Sequence, residues 1–514
     1  MIWLKKLALF CHRWMGVVFC LLFSWWFITG IFMMYWTYPT VDAAARLAHL
    51  APIDSSRVLL SPAEAWATLH INRTPESVRL QTFVGRPAYW FRAGRAQAAV
   101  FADNGQTQTA FTPQINLQSA ADWAGQPAGS ARVETVTEAD QWTVNGIFRR
   151  NARLTKYSFP DGQEVYVSGV TGDVVQATSR SSRLAAYVSA IPHWLYFTPL
   201  RRNAELWNNI IVWSSGLATV AALLGLIAGL VMFSPSKRYR HDGAPSRIPF
   251  AGPKRLHVLF GLFFGIIACT WSFSGLMSMD PFPSLSEGDL PAPGGGASHI
   301  PEALNSDPFT FEAFAAKHPR EALSAVAGSM KVRRLDFTSF SQEAVFIATQ
   351  DSLHARIIPV NGGPPRGEFD RKLITAIVTR ASQPDGLAEA RVLDRYDSYY
   401  LDRNHALPLP VLFFRVNDRY GSRFYVDPRT AQIVGGYSSE GWSERWLYHA
   451  LHSLNFPLLY NYRPAWDMVV LVLMLGGATL SITSVIIGWR FLKAKATRVK
   501  GRGREAAPVQ TTGI

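Results

Sequence analysis

Apolar residues gather into four long stretches, roughly 14–37, 208–233, 257–279 and 466–491, and elsewhere the chain mixes short apolar runs with polar and turn residues. A hydrocarbon core of about 30 Å takes roughly 20 helical residues at about 1.5 Å each, so every stretch is long enough to cross it. Asp, Glu, Lys and Arg enter these stretches only at their rims, as Asp467 and Arg490. The pattern predicts four transmembrane α-helices. The first could be read as a secretory signal with Ala43, Ala44 and Ala45 as its cleavage site, but its apolar core is too long for one and its counterpart at 257–279 is internal. We therefore expect it to be a permanent span.

The intervening patterns predict mixed α/β structure. Near 61–70, Ser61 followed by Pro62 is a helix start, and a counterpart is expected near 310–318. Runs such as Ala88-Tyr89-Trp90-Phe91 and Glu343-Ala344-Val345-Phe346-Ile347 suit strands of half-buried antiparallel sheet. Each half closes on a hairpin pattern, with Val165-Tyr166-Val167 before Thr171-Gly172-Asp173 and Phe424-Tyr425-Val426 before Asp427-Pro428-Arg429-Thr430. The chain thus divides into an N-terminus and first span (1–37), an outer α+β segment (38–206), a second span (207–233), a basic loop (234–256), a third span (257–279), a second outer segment (280–465), a fourth span (466–491) and a basic tail (492–514). The Pro/Gly-rich run 281–297 reads as a linker.

The two halves are a tandem repeat. His12 is followed by Gly16, Phe19, Trp26, Gly30 and Met34, and His257 at the same offsets by Gly261, Phe264, Trp271, Gly275 and Met279. Downstream, Tyr166-Val167 leads to His193, Trp207 and Gly229 at the spacings by which Tyr425-Val426 leads to His452, Trp466 and Gly488. Related halves about a pseudo-two-fold axis bring equivalent histidines toward each other. That arrangement suits a group held between two imidazoles.

Charge changes the picture through its location. Sixteen Lys and Arg in 5–13, 237–255 and 490–504, less Asp242 and Glu505, carry the whole formal net charge of +14. Basic residues at helix ends put both termini and the 234–256 loop in the cytoplasm and send the two large segments across the membrane. They also argue against a nucleic-acid partner, since none lies in a separate basic module. Cys11, Cys20 and Cys269 lie in or beside spans, so no outer disulfide is expected. The absence of Cys-x-x-Cys-His excludes covalently attached c-type haem, and no protease, phosphate-loop or dinucleotide motif competes.

Strand, Asp-Pro-Arg-Thr turn and strand before a His-bearing approach to a membrane helix resemble the PepSY domain. Together with the opening His12-Arg13-Trp14-Met15-Gly16 and the 449–466 region, they make nearly all of 1–491 resemble the PepSY-associated transmembrane family, also called iron-regulated membrane proteins. That family includes bacterial siderophore reductases. The resemblance implies two PepSY-like outer domains and electron delivery to a periplasmic Fe(III)-siderophore or other ferric chelate, with release of Fe(II) for iron uptake.

Of the twelve histidines, His12, His193, His257 and His452 recur in the repeat and flank spans, and His449 lies three residues before His452 as an alternative ligand. Zinc would want three or four ligands. A b-type haem wants two axial imidazoles and a flat apolar slot, which Phe19, Trp26, Phe264 and Trp271 could wall and Gly16 and Gly261 could admit. We therefore expect two haem b groups, one held by His12 and His257 and the other by His193 and His452 or His449, forming an electron route across the membrane. The donor is left open among quinol, reduced flavin and a reductase. Arg201, Arg202 and Arg403, with Trp194, Tyr196, Trp442, Trp446, Tyr460 and Tyr462, lie toward the outer exit, where they serve as an interfacial belt or receive an anionic chelate. The alternative is a haem-free membrane protein whose outer domains bind or inhibit another protein.

Overall fold

The computed structural model describes residues 2–94, 96–145, 148, 153–233, 235–236, 239–241, 244–282, 296–305 and 307–505. Most of the expected 281–297 linker and the end of the basic tail lie outside them. Four helices are long and apolar enough to cross a membrane: α1 (Ile2–Met33), α2 (Ala204–Met232), α3 (Gly252–Met277) and α4 (Arg463–Glu505). The protein is a membrane protein. α1 stops short of the expected residue 37, whereas α4 runs on through its basic end, where Lys and Arg keep good helix propensity. α1 packs on α2 and α4, and α3 packs on the same two. Close approach is made at Gly476 and Gly477, where a Cβ would meet the rings of Phe264 and Phe27.

The first outer segment carries β1 (Ser77–Phe83), β2 (Arg86–Ala93), β3 (Ala96–Phe101), β4 (Thr107–Gln108), β5 (Arg132–Thr135), β6 (Leu154–Ser158), β7 (Glu164–Ser168) and β8 (Val174–Thr178). A short hairpin, β9 (Tyr239–His241) and β10 (Ala244–Ser246), lies in the basic loop. The second outer segment carries β11 (Arg334–Phe340), β12 (Glu343–Thr349), β13 (Ala355–Pro359), β14 (Leu387–Leu393), β15 (Val411–Val416), β16 (Arg423–Asp427) and β17 (Gln432–Tyr437).

These strands do not sort into two separate outer domains along the expected division at 38–206 and 280–465. One seven-stranded sheet runs β13-β12-β11-β1-β2-β3-β4 and takes strands from both segments. Its centre is the antiparallel seam of β1 with β11, where Leu80 faces Leu335 and Val78 faces Phe337. Apart, each segment would leave a long apolar edge strand with unpaired backbone groups, and the seam removes both edges at once. On one face, Leu80, Tyr89, Phe91, Leu335 and Phe346 share a core with Trp66, Phe314 and Leu323.

Trp66 sits on the helix Pro62–Ala67, whose N-cap Ser61 and Glu64 form a capping box as the sequence signalled. Its counterpart falls later than expected: 312–314 makes a single 3₁₀ turn and the helix is Pro319–Val326, begun by Pro319 and by His318 accepting from the Arg320 amide. The remaining strands form two four-stranded sheets, β5-β6-β7-β8 and β14-β15-β16-β17. The helix Pro113–Ala124 packs on the first, and the helix Arg371–Ala381 lies between the second and the central sheet.

The repeated Tyr-Val pairs lie in the equivalent strands β7 and β16. Tyr166 and Tyr425 are fully buried there and donate to Asp140 at 2.6 Å and Asp397 at 2.9 Å. Burial, with those carboxylates beside them, pushes both phenols above the ordinary tyrosine range. Each tyrosine ties its sheet to an earlier loop that in turn bonds to the re-entrant chain, Gln141 donating to the Tyr196 carbonyl and Arg445 to that of Ser398.

Leu80→Ala removes the side chain at the centre of the seam and should destabilise the outer region by about 2–5 kcal/mol. The measurement is the thermal midpoint of the detergent-purified chain, and an unchanged midpoint would mean that the seam contributes nothing.

Candidate functional site

The segments that re-enter the bundle are built alike. The short helix Ala190–His193 precedes Leu195, whose φ of 50° is left-handed, and the turn Leu451–Ser453 precedes Leu454 with φ 48°. A branched residue is costly there, so both reversals are held by what surrounds them. After each, Trp207 donates to the Trp194 carbonyl at 2.9 Å and Trp466 to that of Ser453 at 2.8 Å. The consequence is that His193 and His452 face each other, ring centroids 6.2 Å apart and planes at 71°.

A cavity of about 460 Å³ surrounds them, within the roughly 300–1,000 Å³ usual for ligand pockets. Five repeat pairs line it: Trp26 and Trp271, Gly30 and Gly275, Met34 and Met279, His193 and His452, and Trp207 and Trp466. His449 does not line it and lies 3.6 Å from Glu444. The wide π-helical turn Ser443–Ala450 sets this phase, directing His452 inward.

At the opposite end of the bundle His12 and His257 form a second pair, with centroids again 6.2 Å apart and planes at 28°. Roughly 17 residues of α1 separate His12 from the level of His193, which is about 25 Å at 1.5 Å per residue. The basic ends of the helices gather beside the His12 pair, with Arg13 over Phe491 and Lys495 over Trp14.

Hydrogen bonding fixes which ring nitrogen is available. Thr29 Oγ1 donates to the Trp25 carbonyl at 2.7 Å, so at 3.0 Å from His193 Nδ1 it accepts. Ser274 Oγ donates to the Trp271 carbonyl at 3.1 Å and likewise accepts from His452 Nδ1 at 2.9 Å. His12 Nδ1 lies 3.1 Å from the Ala221 carbonyl, which can only accept. Ser484 Oγ, which donates to Leu480, accepts from His257 Nδ1 at 3.2 Å. All four protons therefore sit on Nδ1, and neutral Nε2 carries the ligand lone pair. Burial also holds His193 and His452 below the ordinary histidine range, which keeps both rings neutral.

An imidazole nitrogen stands about 2 Å from a bound first-row metal and roughly 1.1 Å from its own ring centre, so two rings on opposite sides of one metal have centroids roughly 6.3 Å apart. Both pairs have that separation. Among the described residues no group of three or more His, Cys, Asp or Glu is arranged to hold a metal ion, so neither pair is a zinc-type cluster. Among the described residues the buried Trp271 Nε1 has no hydrogen-bond partner. Its repeat partner Trp26 spends the same N–H on the His193 carbonyl at 3.0 Å. A two-ligand, flat, largely apolar group such as haem suits this donor set.

The glycines that lie against the histidine rings are others than Gly16 and Gly261. Nothing lies within 4 Å of a Cβ built on Gly16, and Gly261 faces only Leu480. Gly225, on α2, lies directly under the His12 ring, while Gly30 and Gly275 face His193 and His452. Trp26 and Trp271 wall the outer cavity as expected, whereas Phe264 packs into the helix contact at Gly476. Thr29 and Ser274 were missed, although they share the offset of the repeat. Of the expected exit group, Arg403, Trp194, Tyr196 and Tyr460 line the cavity, Arg201 lies behind it on the Tyr196 and Trp207 rings, Trp442, Trp446 and Tyr462 do not line it, and Arg202 turns away to Glu138 and the Ala139 carbonyl.

A family model described as the PepSY-associated TM region matches residues 9–358. The chain belongs to the PepSY-associated transmembrane family. No curated protein matches it. The PepSY-associated match includes His12, His193 and His257 and ends before His452, whose ring faces that of His193.

Gly225→Ala adds a methyl group where the His12 ring stands, so the overpacking cost of about 1–3 kcal/mol should lower the melting midpoint in detergent. Gly16→Ala enters open space and should not lower it. Equal effects would show that His12 does not pack on α2.

Proposed function

We propose that the chain is a di-haem b membrane oxidoreductase that moves electrons across a bacterial inner membrane to a ferric chelate. The observation that carries this reading is the doubled imidazole pair, two at each end of one bundle, all four with Nδ1 committed and Nε2 left as the ligand nitrogen. His12 and His257 would hold one haem, and His193 and His452 the other. Bound haem would supply reversible one-electron Fe(III)/Fe(II) chemistry, and two histidines at each site would suit it to carrying electrons rather than oxygen.

The chain's own contribution is to fix and to insulate. Helix acceptors hold each ring in one tautomer and one orientation, as outer-shell partners do at metal sites. Two sites roughly 25 Å apart along α1 divide a bilayer-wide transfer into shorter steps. The basic helix ends beside His12 favour the cytoplasm for that face and for both termini, and leave the His193 face with the outer domains. One electron reaching a chelated Fe(III) gives Fe(II), which hard oxygen ligands hold far less well, so release for uptake follows. A quinol, a reduced flavin or a reductase would supply the electron on the inner side.

The test is the visible spectrum of detergent-purified protein, oxidised and dithionite-reduced, with a pyridine haemochrome count. The expected result is two low-spin b haems per chain; a protein that stays colourless after haem supplementation would overturn the proposal in favour of a haem-free PepSY protein that binds a partner. His12→Ala or His257→Ala should each leave one haem, as should His193→Ala or His452→Ala, while His449→Ala should keep both.

The ring planes distinguish the two sites. The inner pair, at 28°, should give a rhombic low-spin EPR signal, and the outer pair, at 71°, a strongly anisotropic one. His452→Ala should abolish only the anisotropic signal. Loss of the rhombic signal in that variant would reverse the assignment.

A further inference from the structure

Trp207 and Trp466 are repeat partners and both line the outer cavity. Each carries an arginine on its ring face. The Arg201 guanidinium carbon lies 4.6 Å from the Trp207 ring centre and 5.2 Å from that of Tyr196, and the Arg403 carbon lies 5.1 Å from that of Trp466. The two cations come from unrelated places: Arg201 ends the short helix Thr198–Arg201 before α2, and Arg403 belongs to the loop between β14 and β15. The repeat partner of Arg201 is Tyr460, so symmetry does not account for the pair.

Among the described residues neither arginine forms an ion pair, although the adjacent Arg202 pairs with Glu138 at 2.9 Å and Arg463 with Asp467 at 3.4 Å. Arg201 Nε is buried with no hydrogen-bond partner. A guanidinium taken partly out of water is costly until an anion completes its hydrogen bonds, and its planar fork matches a carboxylate. Stacking on indole keeps each fork in place while leaving its N–H edge available.

We propose that Arg201 and Arg403 form a carboxylate-binding site at the outer mouth of the cavity. The inference rests on the proposed function for the identity of the occupant. Carboxylates reach this mouth from two sources, the propionates of a haem held by His193 and His452 or an acidic ferric chelate arriving from outside. Either way the two arginines meet negative charge, one beside Trp207 and the other beside Trp466.

The experiment compares the full-length chain with Arg201→Gln, Arg403→Gln and the double variant. Haem count, the midpoint potentials of both haems, and reoxidation of dithionite-reduced protein by ferric citrate and by a ferric trishydroxamate without negative charge are measured. Propionate binding predicts that the double variant loses the outer haem or lowers its potential alone. Chelate binding predicts two haems at unchanged potentials, with reoxidation by ferric citrate slowed at least tenfold and that by the trishydroxamate unchanged.

The inner haem's unchanged spectrum is the folding control, and Arg→Lys at both positions should restore part of either effect. Haem content, potentials and both reoxidation rates all at wild-type values would overturn the site while leaving the proposed function intact. A colourless wild-type protein would instead defeat the proposed function. Citrate binding to that protein by calorimetry would then decide the site: binding abolished in the double variant would support it, and no binding or undiminished binding would overturn it.

Discussion

Four imidazoles buried in or beside an apolar bundle must each satisfy a ring N–H, and the way they do so organises the structure. A helix in hydrocarbon offers few acceptors, because its carbonyls are already engaged within the helix. Here Ala221 supplies a carbonyl, and Thr29, Ser274 and Ser484 supply hydroxyls whose own protons are returned to a backbone carbonyl one turn earlier. Each ring is thereby held to a neighbouring segment: His193 and His452 fasten the outer re-entrant turns to α1 and α3, and His12 and His257 fasten those helices to α2 and α4. Helix packing and ring orientation are one set of contacts.

The outer sheets serve the same geometry from a distance. By joining β1 to β11 the two segments become one body. A hinge between independent outer domains would let the approaches to α2 and α4 drift. The shared sheet and the buried Tyr166 and Tyr425 anchors hold them, so that left-handed Leu195 and Leu454 recur at matching positions and present their histidines at one level.

The symmetry is broken where chemistry enters. The two ring pairs share a centroid spacing but not an interplanar angle, Gly225 stands where its partner helix has Ser484, and Trp271 retains an unpaired N–H where Trp26 does not. On the proposed reading these differences give two haems distinct surroundings along a route with a direction. The arginines at the outer mouth carry that difference to the surface, one side drawing its cation from a membrane-proximal turn and the other from an outer loop.

Read alone, the sequence was enough for four spans, the hairpins around Tyr166 and Tyr425, and the four histidines that meet in pairs. Each of these is written locally, in apolar length, in strand and turn residues, or in spacings kept over two halves. It was not enough for the central sheet, because pairing β1 with β11 joins residues about 255 apart and leaves no local trace. Nor could it choose His452 over His449, since three residues of separation put both near one face of a regular helix, and only the π-helical turn at 443–450 sets them apart. It could point to Gly16 and Gly261 by their distance from the histidines along their own helices, but not to Gly225, which meets His12 across the bundle. Local pattern determines which elements form and which residues recur, and only the packing of distant elements decides which atoms meet.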